Sequence, residues 1–105
     1  MLEKVKELPI APLLVDKTVD FVSKEIKSAK VLINNEYKEF PIDNTSIENG
    51  VITKFVYITN DEGQIGRARL LDSLGRELQY RDFNIKKGPD GTMLVFKIRI
   101  KLLEG

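Results

Sequence analysis

Alternating apolar and polar positions, cut at regular intervals by turn residues, dominate this chain from Glu25 onward. Such alternation marks strands with one buried face. Ile26 to Ile33 and Glu36 to Ile42 flank Asn34-Asn35, a pair that tolerates the positive φ of a two-residue type I′ turn. That register sets Leu32 opposite Tyr37 and Lys30 opposite Glu39. Pro41 cannot donate to a ladder, which places the second strand at a sheet edge. Residues 43–50 read as a polar connection ending in the turn signal Asn49-Gly50. Val51 to Thr59 is the most apolar run. Val51, Phe55 and Tyr57 lie on one side of it and Ile52, Val56 and Ile58 on the other, so both faces are expected to be covered.

Asn60 to Gly63 turns that run into Gln64 to Leu71. Asp72 and Gly75 occupy the first and fourth positions of a type I turn, the lead-in to a G1-bulge hairpin, and Arg76 to Ile85 returns. Gly88-Pro89-Asp90-Gly91 makes the last turn. In the closing run, Thr92 to Leu103, Leu94, Phe96, Ile98, Ile100 and Leu102 face inward and Lys97, Arg99 and Lys101 outward. Six runs at regular spacing predict a mainly β fold, an antiparallel β-sandwich over residues 25–105. Phe55, Val56, Leu70, Leu94, Phe96, Ile98 and Ile100 are its expected core.

Residues 1–24 follow a different pattern. Pro9 and Pro12 each push the preceding residue away from helix. Beyond them Leu14, Val15, Thr18, Val19 and Val22 fall at helical spacing, although Val15, Val19 and Phe21 also fit period two and the β-branched content favours strand. A short helix or an extended segment packed outside the sandwich is expected. Leu8, Ile10, Leu13, Leu14, Val15, Val19, Phe21 and Val22 give this segment more apolar surface than a short appendage hides on one small sandwich. It is therefore a candidate interaction surface, or else the seal over one open end of the sandwich.

Composition narrows the chemistry. The 105 residues fit one domain, and 42% hydrophobic with 31% charged residues is a globular balance. No Cys means no disulfide and no thiolate metal site, and no His removes the commonest general base and metal ligand. Ser23, Ser28, Ser46 and Ser73 sit in no nucleophile signature, and neither phosphate-cradling glycine motif occurs. No enzyme activity, metal or cofactor is expected. Seventeen basic against sixteen acidic residues leave a net charge of +1, too little for general attraction to nucleic acid or membrane. From the charged start, Met1 to Glu7, no signal peptide is expected, and no apolar run approaches the ~20 residues of a membrane span.

Several side-chain groups remain as candidates. Arg67, Arg69, Lys97, Arg99 and Lys101 would make a basic stripe if their two strands were neighbours, and Tyr57 or Tyr80 nearby would give it a single-strand nucleic-acid character. A charged solvent face that discourages edge pairing is the competing reading. Asn60, Asp61 and Glu62, and separately Asp43, Asn44 and Glu48, crowd oxygen ligands into loops without the alternating spacing of a calcium site. Tyr37, Tyr57, Tyr80 and Phe83 are strand aromatics that either stack on sugars or fill the core.

The stretches Asn49-Gly50-Val51-Ile52, Ile65-Gly66-Arg67-Ala68-Arg69-Leu70-Leu71-Asp72-Ser73-Leu74-Gly75-Arg76 and Gly91-Thr92-Met93-Leu94-Val95-Phe96-Lys97-Ile98 resemble small proteins encoded in the tail modules of phages and prophages of Gram-positive bacteria. The resemblance covers roughly the C-terminal half and carries no site residues. Some proteins of that kind bear the label ketopantoate hydroxymethyltransferase, an enzyme whose (β/α)8 barrel needs about 250 residues and does not fit this chain. The resemblance implies a tail or baseplate component, cytoplasmic during synthesis and then virion-associated, or an accessory protein. The expected function is structural or assembly work, as a small homo-oligomer such as a trimer and with other tail proteins. The alternative is a small module that binds carbohydrate or, less readily, single-stranded nucleic acid.

Overall fold

A computed structural model of the protein describes residues 12–100. One helix, α1 (Pro12–Glu25), precedes seven strands: β1 (Ser28–Ile33), β2 (Glu36–Pro41), β3 (Asn44–Glu48), β4 (Val51–Ile58), β5 (Gly63–Leu71), β6 (Glu77–Lys87) and β7 (Thr92–Arg99). They form two antiparallel sheets, β2-β1-β5-β6 and β3-β4-β7. The chain builds them as alternating hairpins, β1β2 in the larger sheet, β3β4 in the smaller, β5β6 in the larger, with β7 completing the smaller.

Each hairpin is closed by the backbone conformation its turn requires. Asn34 and Asn35 have φ of 50° and 65°, and Asn49 and Gly50 have 51° and 76°, both pairs in the type I′ form that matches strand twist. Gly75 has φ of 78°, its N–H donates to Asp72 O at 3.0 Å, and Asp72 N–H donates to Arg76 O at 3.0 Å. The pairs Leu32–Tyr37 and Lys30–Glu39 form as expected, and β2 with Pro41 is an edge strand.

Four expectations need correction. Residues 43–50 are not only a connection, because Asn44–Glu48 pairs along β4 as a fully exposed edge strand. The turn at Gly88–Gly91 joins no hairpin: β6 passes to β7, as β4 does to β5, from one sheet to the other. A turn fixes a reversal of direction, but not which sheet receives the returning strand. Strand β4 is buried on one face only. Ile52, Val56 and Ile58 are buried, whereas Phe55 is half-buried and Tyr57 exposed on the outer side. Finally, α1 does more than pack outside the sandwich, since Val19 is buried and Lys54 on the inner face of β4 bonds Ser23.

The main core lies between the sheets: Ala29, Val31 and Ile33 from β1, Ile65, Ala68 and Leu70 from β5, Val56 and Ile58 from β4, and Leu94 and Phe96 from β7. Of the predicted core, Val56, Leu70, Leu94 and Phe96 are buried, and Phe55, Ile98 and Ile100 partly so. Ile52 and Val19 are buried outside that cluster, in the part of the smaller sheet that α1 covers. Leu102 lies outside the described residues.

Candidate interaction surface

Helix α1 begins at Pro12, a first-turn position that suits proline because its missing N–H would be unpaired there anyway. Its inner side carries Val15, Val19, Val22 and Ser23, and Ile26, one residue past its end, continues that three- and four-residue spacing. Val19, Ser23 and Ile26 are buried. Its outer side carries Leu13, Leu14 and Phe21, which are 65%, 54% and 65% exposed. The candidate interaction residues therefore divide by face. Val19 and Val22 seal the sandwich, Leu13, Leu14 and Phe21 meet solvent, and Leu8 and Ile10 lie outside the described residues. The segment thus seals the sandwich with one side of the helix and leaves apolar residues exposed on the other.

Beside the outer face runs an open groove of about 560 Å³, between the C-terminal half of α1 and the start of β6. Phe21, Val22, Ile26, Leu78 and Ile98 give it an apolar floor, while Glu25, Asp72, Arg76 and Glu77 stand along its rim. Asp72 is tied down. Its Oδ1 accepts the N–H groups of Leu74 and Arg76, each at 2.9 Å, and its Oδ2 accepts Arg76 Nε at 2.7 Å. These bonds, the backbone N–H of Arg76 first, hold its carboxyl below the usual aspartate range. Glu77 pairs with Arg69 at 2.7 Å. Lys17 and Glu25 on α1 are exposed and have no ion-pair partner among the described residues.

A buried lysine anchors the helix. Lys54, 4% exposed, stands in the apolar alternation Ile52, Lys54, Val56, Ile58 on the inner face of β4. Its Nζ donates to Ser23 O, Ser23 Oγ and Thr45 Oγ1, each at 3.0 Å, so all three ammonium hydrogens have acceptors. No carboxylate is among those acceptors. Burial, and secondarily the charge of Lys27, pushes its pKa below the ordinary lysine value. Sequence reasoning passed over this residue. The available signal was its even-numbered place among Ile52, Val56 and Ile58.

The basic stripe does not assemble. Arg67 and Arg69 lie on β5 in the larger sheet, Lys97 and Arg99 on β7 in the smaller, and no pairing joins those strands. Lys101 lies outside the described residues. Arg67 pairs with Asp82 through Nε at 2.7 Å and Nη2 at 3.2 Å and stacks 4.0 Å from the Tyr80 ring centre. Arg69 sits 5.7 Å from the Tyr37 ring centre. Each arginine thus lies over one face of its tyrosine ring. Tyr57 is on the other sheet, and Phe83 packs edge-on against Phe96 at 5.9 Å. The oxygen-rich loops are likewise structural: Asp61 pairs with Lys38, and Asn44 Oδ1 accepts the N–H of Thr45. Among the described residues no group of three or more metal-ligating acids occurs, and no helix is long and apolar enough to cross a membrane.

Set against known proteins, the chain matches no family model, no curated protein and no solved structure.

Proposed function

We propose that this protein is a non-enzymatic assembly module that works through protein–protein contacts, first of all with further copies of itself. The observation that carries the reading is the outer side of α1, where Leu13, Leu14 and Phe21 stay exposed although the helix already packs through its opposite side. Single exposed apolar residues are ordinary. Three on one 14-residue helix, bordering an apolar groove, form a patch of the kind that contacts other proteins. Closed symmetry would bury such a patch repeatedly with a single sequence.

The likeness of the C-terminal half to phage tail-module proteins makes a tail or baseplate the assembly we expect, with other tail proteins as further partners. No catalytic role is proposed, because a chain without His or Cys lacks the commonest general base and the thiol nucleophile. A carbohydrate or nucleic-acid module is the weaker reading, since arginines lie over one face of Tyr37 and of Tyr80 and the basic residues divide between the sheets.

Light scattering across a hundredfold range of micromolar concentrations tests the proposal. Mass above 12.0 kDa that falls on dilution is expected. A constant monomer would overturn self-association and favour a monomeric binding module.

A further inference from the structure

The outer face of α1 has an internal symmetry that determines which partner it fits. At about 100° per residue, Leu14, Lys17, Thr18, Phe21 and Glu25 fall on one side of the helix, turned away from the buried Val19 and Ser23. Lys17 stands four residues before Phe21 and Glu25 four residues after it. Both are exposed, and neither has an ion-pair partner among the described residues. The apolar centre of the stripe therefore carries an unpaired cation on one side and an unpaired anion at the same distance on the other.

We propose that the occupant of this face is the same face of a second copy, in an antiparallel helix pair whose two-fold axis passes beside Phe21. The inference rests on the self-association reading above and fixes its geometry. In an isologous contact, residue 21 − n of one copy meets residue 21 + n of the other. Phe21 packs on Phe21, and Lys17 of each copy faces Glu25 of its partner, which makes two identical ion pairs. Leu14, seven residues before Phe21, projects past the last turn of the opposing helix to the groove floored by Val22, Ile26, Leu78 and Ile98. A parallel pair, or a three-fold arrangement of parallel helices, would set Lys17 near Lys17 and Glu25 near Glu25, and like charges in register oppose it. Charge complementarity thus selects the antiparallel dimer over the trimer.

The arrangement makes an exchange test possible with substitutions at exposed positions. Lys17→Glu gives a chain with Glu at both flanking sites, and Glu25→Lys gives a chain with Lys at both. Each variant alone should dimerise at least about tenfold more weakly than the natural chain, because two attractions become two repulsions. An equimolar mixture should form a heterodimer, since every cross-copy contact then joins Glu to Lys, and the double variant K17E/E25K should again pair with itself. Phe21→Glu should abolish dimerisation. Circular dichroism on each variant confirms that the fold is retained. Sedimentation velocity reads the outcome, with one partner of the mixture fluorescently labelled. A natural chain that is monomeric overturns both the assembly reading and this geometry. A natural chain that forms trimers, or an oligomer that survives Phe21→Glu or whose two single-charge variants fail to combine, overturns the antiparallel pair and leaves the assembly reading standing.

Discussion

At the scale of single residues, Phe96 and Lys54 occupy the same interior and depend on it in opposite ways. Phe96 is 1% exposed and packs edge-on against Phe83, so burial stabilises the fold with no polar requirement. Phe96→Ala should cost about 3–5 kcal/mol in urea unfolding, combining lost transfer energy with the cavity left behind. A loss under about 1 kcal/mol, the level of a surface substitution, would contradict the inward face assigned to β7. Lys54 is held there by Ser23 and Thr45 although its charge opposes burial. Its folded pKa lies below its unfolded one. In the window between the two, the unfolded chain binds more protons, and stability rises with pH. The contribution of Lys54 is therefore least favourable below its folded pKa and improves as pH climbs towards the ordinary lysine value. The expected result is an alkaline rise in unfolding free energy for the natural chain that Lys54→Met lacks. Equal slopes in the two proteins between pH 8 and about 10.4, the ordinary lysine pKa, would show that the ammonium is solvated in the fold.

Elements were legible in the sequence wherever local chemistry decides them. Asn34-Asn35, Asn49-Gly50 and Asp72–Gly75 specify their turns because few residues tolerate positive φ, and all three adopt it. Alternation placed Leu94 and Phe96 inward on β7 because the pleat allows no other arrangement. Strand β3 was not legible, since Ile47 is its single apolar residue and is exposed, so no buried face left a pattern. The division of strands between sheets was not legible either, because it depends on packing far apart in sequence. That is why Arg69 and Lys97 could be read as neighbours. The candidate surface was half legible: the excess of apolar residues on α1 was visible, but not which of them the sandwich covers. Two glycines separate the contributions of backbone and packing at turns. Gly75 has positive φ and open space where a Cβ would go, so Gly75→Ala should cost only left-handed strain, about 1–2 kcal/mol. Gly63 has φ of +129°, and the Asn34 side chain, which bonds Glu62 O and Gln64 N–H, fills the place of its Cβ. Gly63→Ala should therefore be the more destabilising of the two in matched denaturation curves. The reverse order would mean that Asn34 moves aside at no cost.

Across the whole molecule, stability should be distributed unevenly, with the boundary between α1 and the sheets. The central strands β1 and β5 each pair on both sides and supply six of the buried residues between the sheets: Ala29, Val31, Ile33, Ile65, Ala68 and Leu70. Opening them destroys the core. Helix α1 is attached through one face, chiefly Val19 and the bond network of Ser23 with Lys54. Releasing it would uncover Ile52 and Lys54 and leave the main cluster of β-strand residues in place. Burying the Lys54 charge also has an energetic cost that undocking would relieve, which further lowers the barrier to release. Native-state hydrogen exchange should accordingly show α1 amides opening at a free energy below that of Val31 and Ala68, whose exchange should track global unfolding. Pairing of the outer faces would add a second signature. The opening free energies of α1 and of Val31 and Ala68 should then both increase with protein concentration by the same increment, because undocking the helix and unfolding the whole chain each break the pair. An α1 that exchanges only with global unfolding would mean that helix and sandwich form one cooperative unit, with Ile52 and Val19 as integral to the fold as Phe96. Helix opening that is independent of concentration in a protein shown to be oligomeric would move the contact from α1 to the sheets.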